Sequence, residues 1–432
     1  MLKDFIIYQI QDFKNNWKNV FIKKILTFLS LLFLGVLILL STPIILFIRL
    51  LNPFFIIRIG KLNSSRIGHF VANTELYLCE KDAKFNLKDT TNYLDIFYLG
   101  NKPYCNNYLV KMWKRKLIIF PKFIIEPIYI ANLILPFGKK NIIPEPYQDD
   151  RDVLGLFHMY SSHLEFTEHE ELIGAEFLRK IGLNKNDKFV CLIVRDSTYL
   201  DTHIKNNNWS YHNYRDCDIS NYLLAAEFLA DRGYFVFRMG AIVKEKFISN
   251  NKRIIDYATN GLRNDFLDIY LGAKCHFCIS SSLGWDAIPE IFKRPIIYTN
   301  ILPLAYLRLN SEKAINLSKR FFSKKNNTEL SLNQIINENF AHILFSEEYE
   351  KNEIVLIQNT PQEILDAVLD MIELISNNFI LNENQLILRN IFLQIFPSEL
   401  LDKYKNRPLH GKINGNYSFN FLKNNPKWLI KN

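Results

Sequence analysis

The chain has no Walker-type phosphate loop and no GxGxxG turn, so neither common sequence signature of nucleotide binding is present. Its six cysteines (Cys79, Cys105, Cys191, Cys217, Cys275 and Cys278) are scattered over 432 residues. That is no disulfide framework, and it fits a reducing, cytoplasmic compartment. Cys275-x-x-Cys278 lacks a second ligand pair at zinc-site spacing, which favours two buried small hydrophobes over a metal. No repeat of solenoid type occurs. Acidic residues are in deficit, 44 against 53 basic ones, which gives a net charge of +9. The bases are interspersed rather than striped, which argues against a nucleic-acid platform. An anionic membrane surface and a phosphorylated ligand remain as partners for that charge.

What is present begins at the front. Residues 25–48 contain no charged side chain. As a helix this run rises roughly 36 Å, against a hydrocarbon core of about 30 Å. It is longer than the apolar part of a signal peptide and has no obvious cleavage site, so it reads as a retained membrane segment. Gly35 and Pro43 interrupt it and suggest a kinked or re-entrant helix. Lys14, Lys18, Lys23 and Lys24 precede it and Arg49, Arg58, Lys61 and Arg66 follow it. That near symmetry leaves orientation open. Residues 2–20 read either as an interfacial helix or as a solvated tail.

Beyond it the spacing predicts strands at 56–59, 93–99 and 117–120, a helix over 70–79, and a buried apolar helix over 124–135. Thr167-x-x-Glu170 is a capping box opening a helix. From 188 to 300 one grammar repeats: an apolar run ends in a polar cluster, and helical segments separate the runs. Residues 189–194 lead into Arg195-Asp196, residues 234–237 into Arg238-Met239-Gly240, and residues 277–279 into Ser280-Ser281-Ser282-Leu283-Gly284. Apolar strands alternating with helices build an open parallel sheet, which binds ligands beyond the carboxyl ends of its strands. Ser220 is read as the cap of a helix ending near Arg232. Residues 310–339 read as polar and Asn/Lys-rich, and Thr360-Pro361 opens a capped helix.

Each cluster has a functional and a bland reading. The Ser-rich turn, between strand and helix, suits a diphosphate held on the amides of Ser281, Ser282 and Gly284; alternatively one Ser merely caps the helix. Arg238, followed by Gly240, is a forked phosphate ligand or half of an interdomain salt bridge. Arg195-Asp196 is a sugar- or phosphate-orienting pair or a structural one. Tyr211, Tyr214 and Arg215 lie in a polar-aromatic loop suited to acceptor or sugar contacts, or pinned by its own rings. His69 and Asp196 are candidate general bases, and Glu290 is a candidate ribose ligand or a solvated helix residue. Asp150-Arg151-Asp152 matches a short metal-chelating pattern too common by chance to weigh.

Taken in order, Arg66-Ile67-Gly68-His69 with Glu75, Val194-Arg195-Asp196, Tyr211-His212-Asn213-Tyr214-Arg215, Asn221-Tyr222, Arg238-Met239-Gly240, Ser281-Ser282-Leu283-Gly284 and Thr299-Asn300 resemble a bacterial family of glycosyltransferase-like proteins that accompanies surface-polysaccharide gene sets. The resemblance spans roughly residues 57–303. It implies a two-Rossmann-domain α/β fold of the GT-B class. The expected organisation is a membrane segment at 1–52, an acceptor domain at 53–165, a donor domain at 166–380 and an appendage at 381–432. The implied activity is transfer from a nucleotide-sugar donor, a substrate rather than a cofactor, to a glycan or lipid-linked acceptor. Basic side chains would replace a metal, and the enzyme would sit at the bacterial inner membrane with its catalytic part facing the cytoplasm. The alternative is a catalytically inactive adaptor of a polysaccharide-assembly complex.

Overall fold

The computed structural model describes residues 2–85, 92–146, 151–203, 209–376, 379–397, 400–401 and 407–430. Asp150 of the acid-x-acid triplet lies outside these, as do the side chains on which the interfacial reading of residues 2–20 depends. The first helices are α1 (Leu2–Leu50), α2 (Ile67–Asp82), α3 (Asn107–Lys114) and α4 (Lys122–Ile134). The first strands are β1 (Ile56–Leu62), β2 (Tyr93–Leu99) and β3 (Ile119–Phe120). The chain forms two compact units. One comprises Met1–Leu62, Leu87–Asn101 and Leu117–Pro144, and the other Asn63–Asn86, Lys102–Lys116 and Glu145–Asn432. Thus α1, α4 and all three strands belong to the first unit, and α2 and α3 to the second.

In the first unit the three strands form a parallel sheet in the order β1-β2-β3. Arg58 sits opposite Asp95 in register and forks onto its carboxylate, Nε–Oδ1 2.6 Å and Nη2–Oδ2 2.7 Å. The core gathers Ile45 of α1, Ile59 and Tyr98 of the sheet, and Ile125, Ile128 and Ala131 of α4. The apolar run predicts a buried α4, but only one face of it is buried. Phe123 is 73% exposed and Ile134 68%. Pro43 and Gly35 do not interrupt α1, which runs unbroken through both. Its stretch Lys24–Leu50 has 27 residues, contains an 18-residue window of mean hydropathy 2.8, and is long and apolar enough to cross a membrane.

The second unit is built on β4 (Phe189–Ile193), β5 (Phe235–Arg238), β6 (Ile254–Ile255), β7 (Phe277–Ser280), β8 (Ile296–Ile301) and β9 (Ala314–Ser318), completed by β13 (Asn416–Tyr417). Their order is β13-β9-β8-β7-β4-β5-β6, parallel throughout. Every residue of β4, β5, β7, β8 and β9 is buried, as a sheet covered on both faces requires. The strand order reverses between β4 and β7, which makes the gap beyond their carboxyl ends a topological switch point. A small antiparallel sheet of β10 (Arg320–Ser323), β11 (Thr328–Glu329) and β12 (Ile354–Ile357) lies in the stretch partly read as polar coil.

Capping follows the sequence at two sites and departs from it at one. Thr167 and Glu170 form the expected reciprocal box, as do Thr360 and Glu363. Ser220 caps nothing. Asp218 accepts from the Ser220 amide and opens a 3-10 turn, Ile219–Tyr222, and the α-helix proper is Leu223–Asp231. The helix expected directly after the Ser-rich turn is a 3-10 turn, Gly284–Asp286, followed by only Ala287–Ile291. α2 begins earlier than predicted, so Gly68 and His69 lie in its first turn rather than in a preceding loop.

Candidate functional site

A cavity of about 540 Å³ opens in the second unit at the switch point. Residues 193–196 after β4, residues 282–287 after β7, and Arg66, Ile67, Gly68 and His69 at the start of α2 all line it. The last group is there because two backbones touch. A Cβ on Gly68 would lie 2.7 Å from the Gly284 Cα, and one on Gly284 would lie 3.0 Å from the Gly68 amide nitrogen. Only glycine at both positions lets the end of α2 reach the turn after β7. The α2 N-cap, Arg66, makes no side-chain capping bond. The residues that carry the first-turn amides and the positive end of the helix dipole, Ile67, Gly68 and His69, line the cavity.

Guanidinium groups dominate the lining: Arg66, Arg151, Arg195, Arg215, Arg263 and Arg308. Arg195 is held by Asp216, Nε–Oδ1 3.3 Å, and Arg215 donates from Nη2 to the Ser282 carbonyl. His212 reports the resulting potential. Burial, then the charges of Arg215, Arg195 and Arg66, bring its imidazole down to about 4. Arg195 is itself lowered, first by burial and then by Arg215. Arg66 lies over the Trp209 ring at 5.1 Å, within cation–π range. Such a concentration of positive charge is costly alone and favourable around an anion. Carboxylates answer it in part. Arg263 Nη2 lies 2.6 Å from Asp268 Oδ2, and burial pushes Asp268 up to about 6.

Of the residues singled out from sequence, His69, Arg195, Asp196, Tyr214, Arg215, Gly240, Ser282, Gly284 and Glu290 line this cavity, and Arg238, Ser281 and Tyr211 do not. Arg238 is 1% exposed and its Nη1 lies 3.1 Å from Asp256 Oδ1. It is an internal ion pair within the second unit, not an interdomain one. Tyr211 packs its ring at a tilt against His212 (3.9 Å between centroids) and Phe345, and so braces the aromatic loop.

The Ser-rich turn is organised by its own side chains. The Ser281 hydroxyl accepts from the Arg195 amide (2.7 Å), and the Ser280 hydroxyl accepts from the Ser282 amide (3.0 Å). Buried Asp286 accepts from the Ser280 hydroxyl (2.8 Å) and from the Leu283 amide (2.9 Å). The amides of Ser281 and Ser282, expected to hold a diphosphate, are thus taken, the first by the Ile193 carbonyl (3.1 Å) and the second by the Ser280 hydroxyl, and the Leu283 amide is taken as well. Ser282 adopts a left-handed conformation, φ 59°, which turns its carbonyl to Arg215. The Asp196 carboxylate accepts from the Thr198 amide (2.9 Å) and the Lys244 amide (3.0 Å), tying two cavity loops together. His69 Nδ1 lies 3.3 Å from Asn73 Oδ1.

Thr299 and Asn300 belong to a buried network. Tyr222 Oη lies 2.7 Å from Thr299 Oγ1, and Asn300 and Asn359 exchange amide-to-carbonyl bonds of 2.6 and 2.7 Å. Sequence reading did not single out Arg263, Asp268, Tyr306 or Arg308 as site residues. Arg263 could have been found from its place before the Asn264 cap of helix Asp265–Lys274. Arg308 lies in an irregular stretch with no periodic signal.

One group of described residues could gather on a cation. Glu75, Cys79 and His163 place ligand atoms within 4.8 Å of one another. His163 already bridges Glu75 (3.1 Å) and Asp82 (3.0 Å). Burial alone would lower that imidazole, but the two carboxylates raise it.

No protein-family model matches the chain, and no curated protein sequence does. Among solved structures, the ADP-heptose LPS heptosyltransferase II of E. coli is similar over 73% of this chain and 98% of its own, at 11% identity and a TM-score of 0.39. The glycosyl transferase family 9 protein from Veillonella parvula is similar over 73% and 96%, at 11% identity and a TM-score of 0.41. The UDP-GlcNAc 2-epimerase of Neisseria meningitidis, bound to UDP-GlcNAc, is similar over 74% and 99%, at 12% identity and a TM-score of 0.25. Likenesses at these scores are remote, and the reading of the site rests on this chain's own residues.

Proposed function

We propose that this chain is a glycosyltransferase of GT-B type. It takes a nucleotide-sugar donor into the cavity of the second unit and transfers the sugar to a glycan or lipid-linked acceptor. One observation carries the reading. At the switch point of a parallel sheet, the guanidiniums of Arg66, Arg195 and Arg215 line one cavity together with the first-turn residues of α2, whose N-cap makes no side-chain bond. Fixed donors and positive charge of that density suit the diphosphate of a sugar nucleotide.

In this reading the α2 amides and the Arg66, Arg195 and Arg215 side chains hold the diphosphate. They stabilise the charge it gains as the bond from the anomeric carbon to phosphate oxygen breaks and takes its electron pair with it. The acceptor hydroxyl forms the new bond and gives up its proton. His69 takes that proton on Nε2 in an inverting reaction, with Nδ1–H donated to Asn73 Oδ1 fixing the tautomer. Asp196 positions the loops, since both its oxygens already accept amide bonds. The apolar wall at Leu302, Pro303 and Tyr306 faces the base or the sugar. Residues Lys24–Leu50 anchor the enzyme where a lipid-linked acceptor is found, with the catalytic unit in the cytoplasm of a bacterial cell.

The test is ligand-linked stability of the full chain in detergent with UDP, GDP, ADP or CMP. A binder gains about 2.7 kcal/mol at a hundredfold excess over Kd. Stabilisation by one nucleotide, followed by turnover of the corresponding sugar nucleotide, supports the proposal. No stabilisation by any of them leaves an adaptor and rejects the enzyme.

A further inference from the structure

We infer that the first unit carries a second membrane-contacting element: α4 lies in the bilayer alongside α1 and forms with it a two-helix embedded pair. The inference rests on the reading of α1 as a membrane helix and adds a partner surface, lipid acyl chains, to an element with no membrane-span length of its own.

Geometry fixes the depth. α4 packs on the C-terminal part of α1, where Ile45 is fully buried against Ile125, Ile128 and Ala131, and Ile38 and Ile48 pack at the edges. The other faces of those same α1 turns are open: Leu39 is 73% exposed, Leu40 66%, Phe47 61% and Leu50 72%. If these side chains meet lipid, the helix clamped to the same turns meets lipid at the same depth. The outward residues of α4 agree with that placement. Phe123 is 73% exposed, Leu133 53%, Ile134 68%, and Phe137 just beyond is 94% exposed. Together with the α1 residues they expose more apolar side chain than single scattered hydrophobes explain, and the charges of α4 that reach the surface, Lys122 and Glu126, are paired with each other (3.1 Å).

The polar groups at this level are arranged for low dielectric. Arg49 would be the one charged side chain in the last turns of α1, and it reaches across to α4. Its Nε donates to Asn132 Oδ1 (3.0 Å), its Nη1 to the Pro136 carbonyl (2.6 Å) and its Nη2 to the Asn132 carbonyl (3.0 Å). The guanidinium thereby satisfies carbonyls that the end of α4 leaves without helical partners. A charge at the membrane boundary that is hydrogen-bonded to backbone carbonyls is the form in which such a charge persists. Gly138 makes room for this, since a Cβ there would lie 2.7 Å from Arg49 Nη2 and 2.2 Å from the Asn132 carbonyl oxygen. Lys139 and Lys140 follow at once, both exposed, where an anionic headgroup layer would attract them.

The experiment uses the full chain in phosphatidylethanolamine–phosphatidylglycerol vesicles. An environment-sensitive fluorophore is attached to a cysteine introduced at Phe123, Ile134 or Phe137, with the labelled parent chain as background. Leu40→Cys serves as the lipid reference. Ile248→Cys, at a residue 76% exposed in the second unit, serves as the water reference. Quenching by nitroxide-labelled lipid to the same extent as at Leu40, with protection from aqueous iodide, is expected at all three α4 positions. Iodide quenching there at the level of Ile248, with Leu40 still lipid-quenched, overturns the inference and leaves α1 as an anchor. Protection from both quenchers means that protein covers α4 and also overturns it. Iodide quenching at Leu40 itself removes the anchor and the pair together.

Discussion

The two units treat their arginines in opposite ways. In the first, Arg49 and Arg58 have their donors taken up by carbonyls and by a carboxylate. In the second, Arg66, Arg195 and Arg215 line an open cavity, where their charges add to burial in keeping His212 neutral. The contrast teaches that a guanidinium's role is decided by what is left for it to bond, not by its presence at a strand end. Arg238 and Arg195 make the point within one sheet. Arg238 ends β5 and Arg195 lies just beyond β4, yet the first is closed off by Asp256 and the second faces the cavity.

That contrast can be broken by substitution. The largest effect is expected from Arg238→Ala, which empties a fully buried site and takes from Asp256 its charged partner, leaving the Phe247 amide and the Thr259 hydroxyl. It should cost about 3–5 kcal/mol of unfolding free energy in denaturant titration, while the protein that remains folded binds nucleotide as the parent does. Weakened binding at unchanged stability would return Arg238 to the phosphate site. Arg215→Ala should do the reverse. Loss of one charged hydrogen bond to a diphosphate, about 1.5–3 kcal/mol, weakens nucleotide binding roughly ten- to a hundredfold by calorimetry. Arg215→Lys should recover only part of it, because the ammonium lacks the fork.

Gly68→Ala inserts a methyl against the Gly284 backbone. Overpacking of this kind costs about 1–3 kcal/mol, and turnover should fall with it as the helix end withdraws from the turn. The smallest effect is on pH dependence. His212 stays neutral in the folded chain down to about 4, whereas its ordinary value is 6.5. Protons therefore favour the unfolded chain between these limits, and stability falls as pH drops from about 6.5 toward 4, with no contribution above. His212→Asn should flatten that part of the profile relative to the parent. Because the ring is half-buried the difference is modest. A bound nucleotide, by offsetting the arginines, should raise the His212 pKa, so affinity should rise as pH falls through the same window in the parent but not in the variant.

Much of the second unit was legible because its strands are continuous apolar runs and its caps are local: Phe189–Ile193, Phe235–Arg238, the Thr167 box and the Thr360 box depend on neighbours in sequence. The short strands β6, β11 and β13 carry too few residues to show a period and exist only through their partners. α4 was read as buried because all of residues 124–135 except Glu126 and Asn132 looks apolar, and a helix with apolar side chains on both its inward and outward faces gives no period to tell them apart. At the site, the alternation of strand and polar cluster located the cavity-lining loops after β4 and β7. It could not tell Arg195 from Arg238, because Asp256 pairs with the latter through a tertiary contact. Nor could it show that the hydroxyls of Ser280 and Ser281 serve the turn itself, since that depends on Asp286 folding back beneath it.

The contact between Gly68 and Gly284 has a mechanical consequence. With no side chain between the two backbones there is nothing compressible to absorb a shift, so α2 and the turn after β7 must travel together. A ligand that draws the first turn of α2 inward therefore drags the Ser282 carbonyl, and with it Arg215, like two links of one lever. Substrate entry and the setting of the charge around the leaving group are then a single movement.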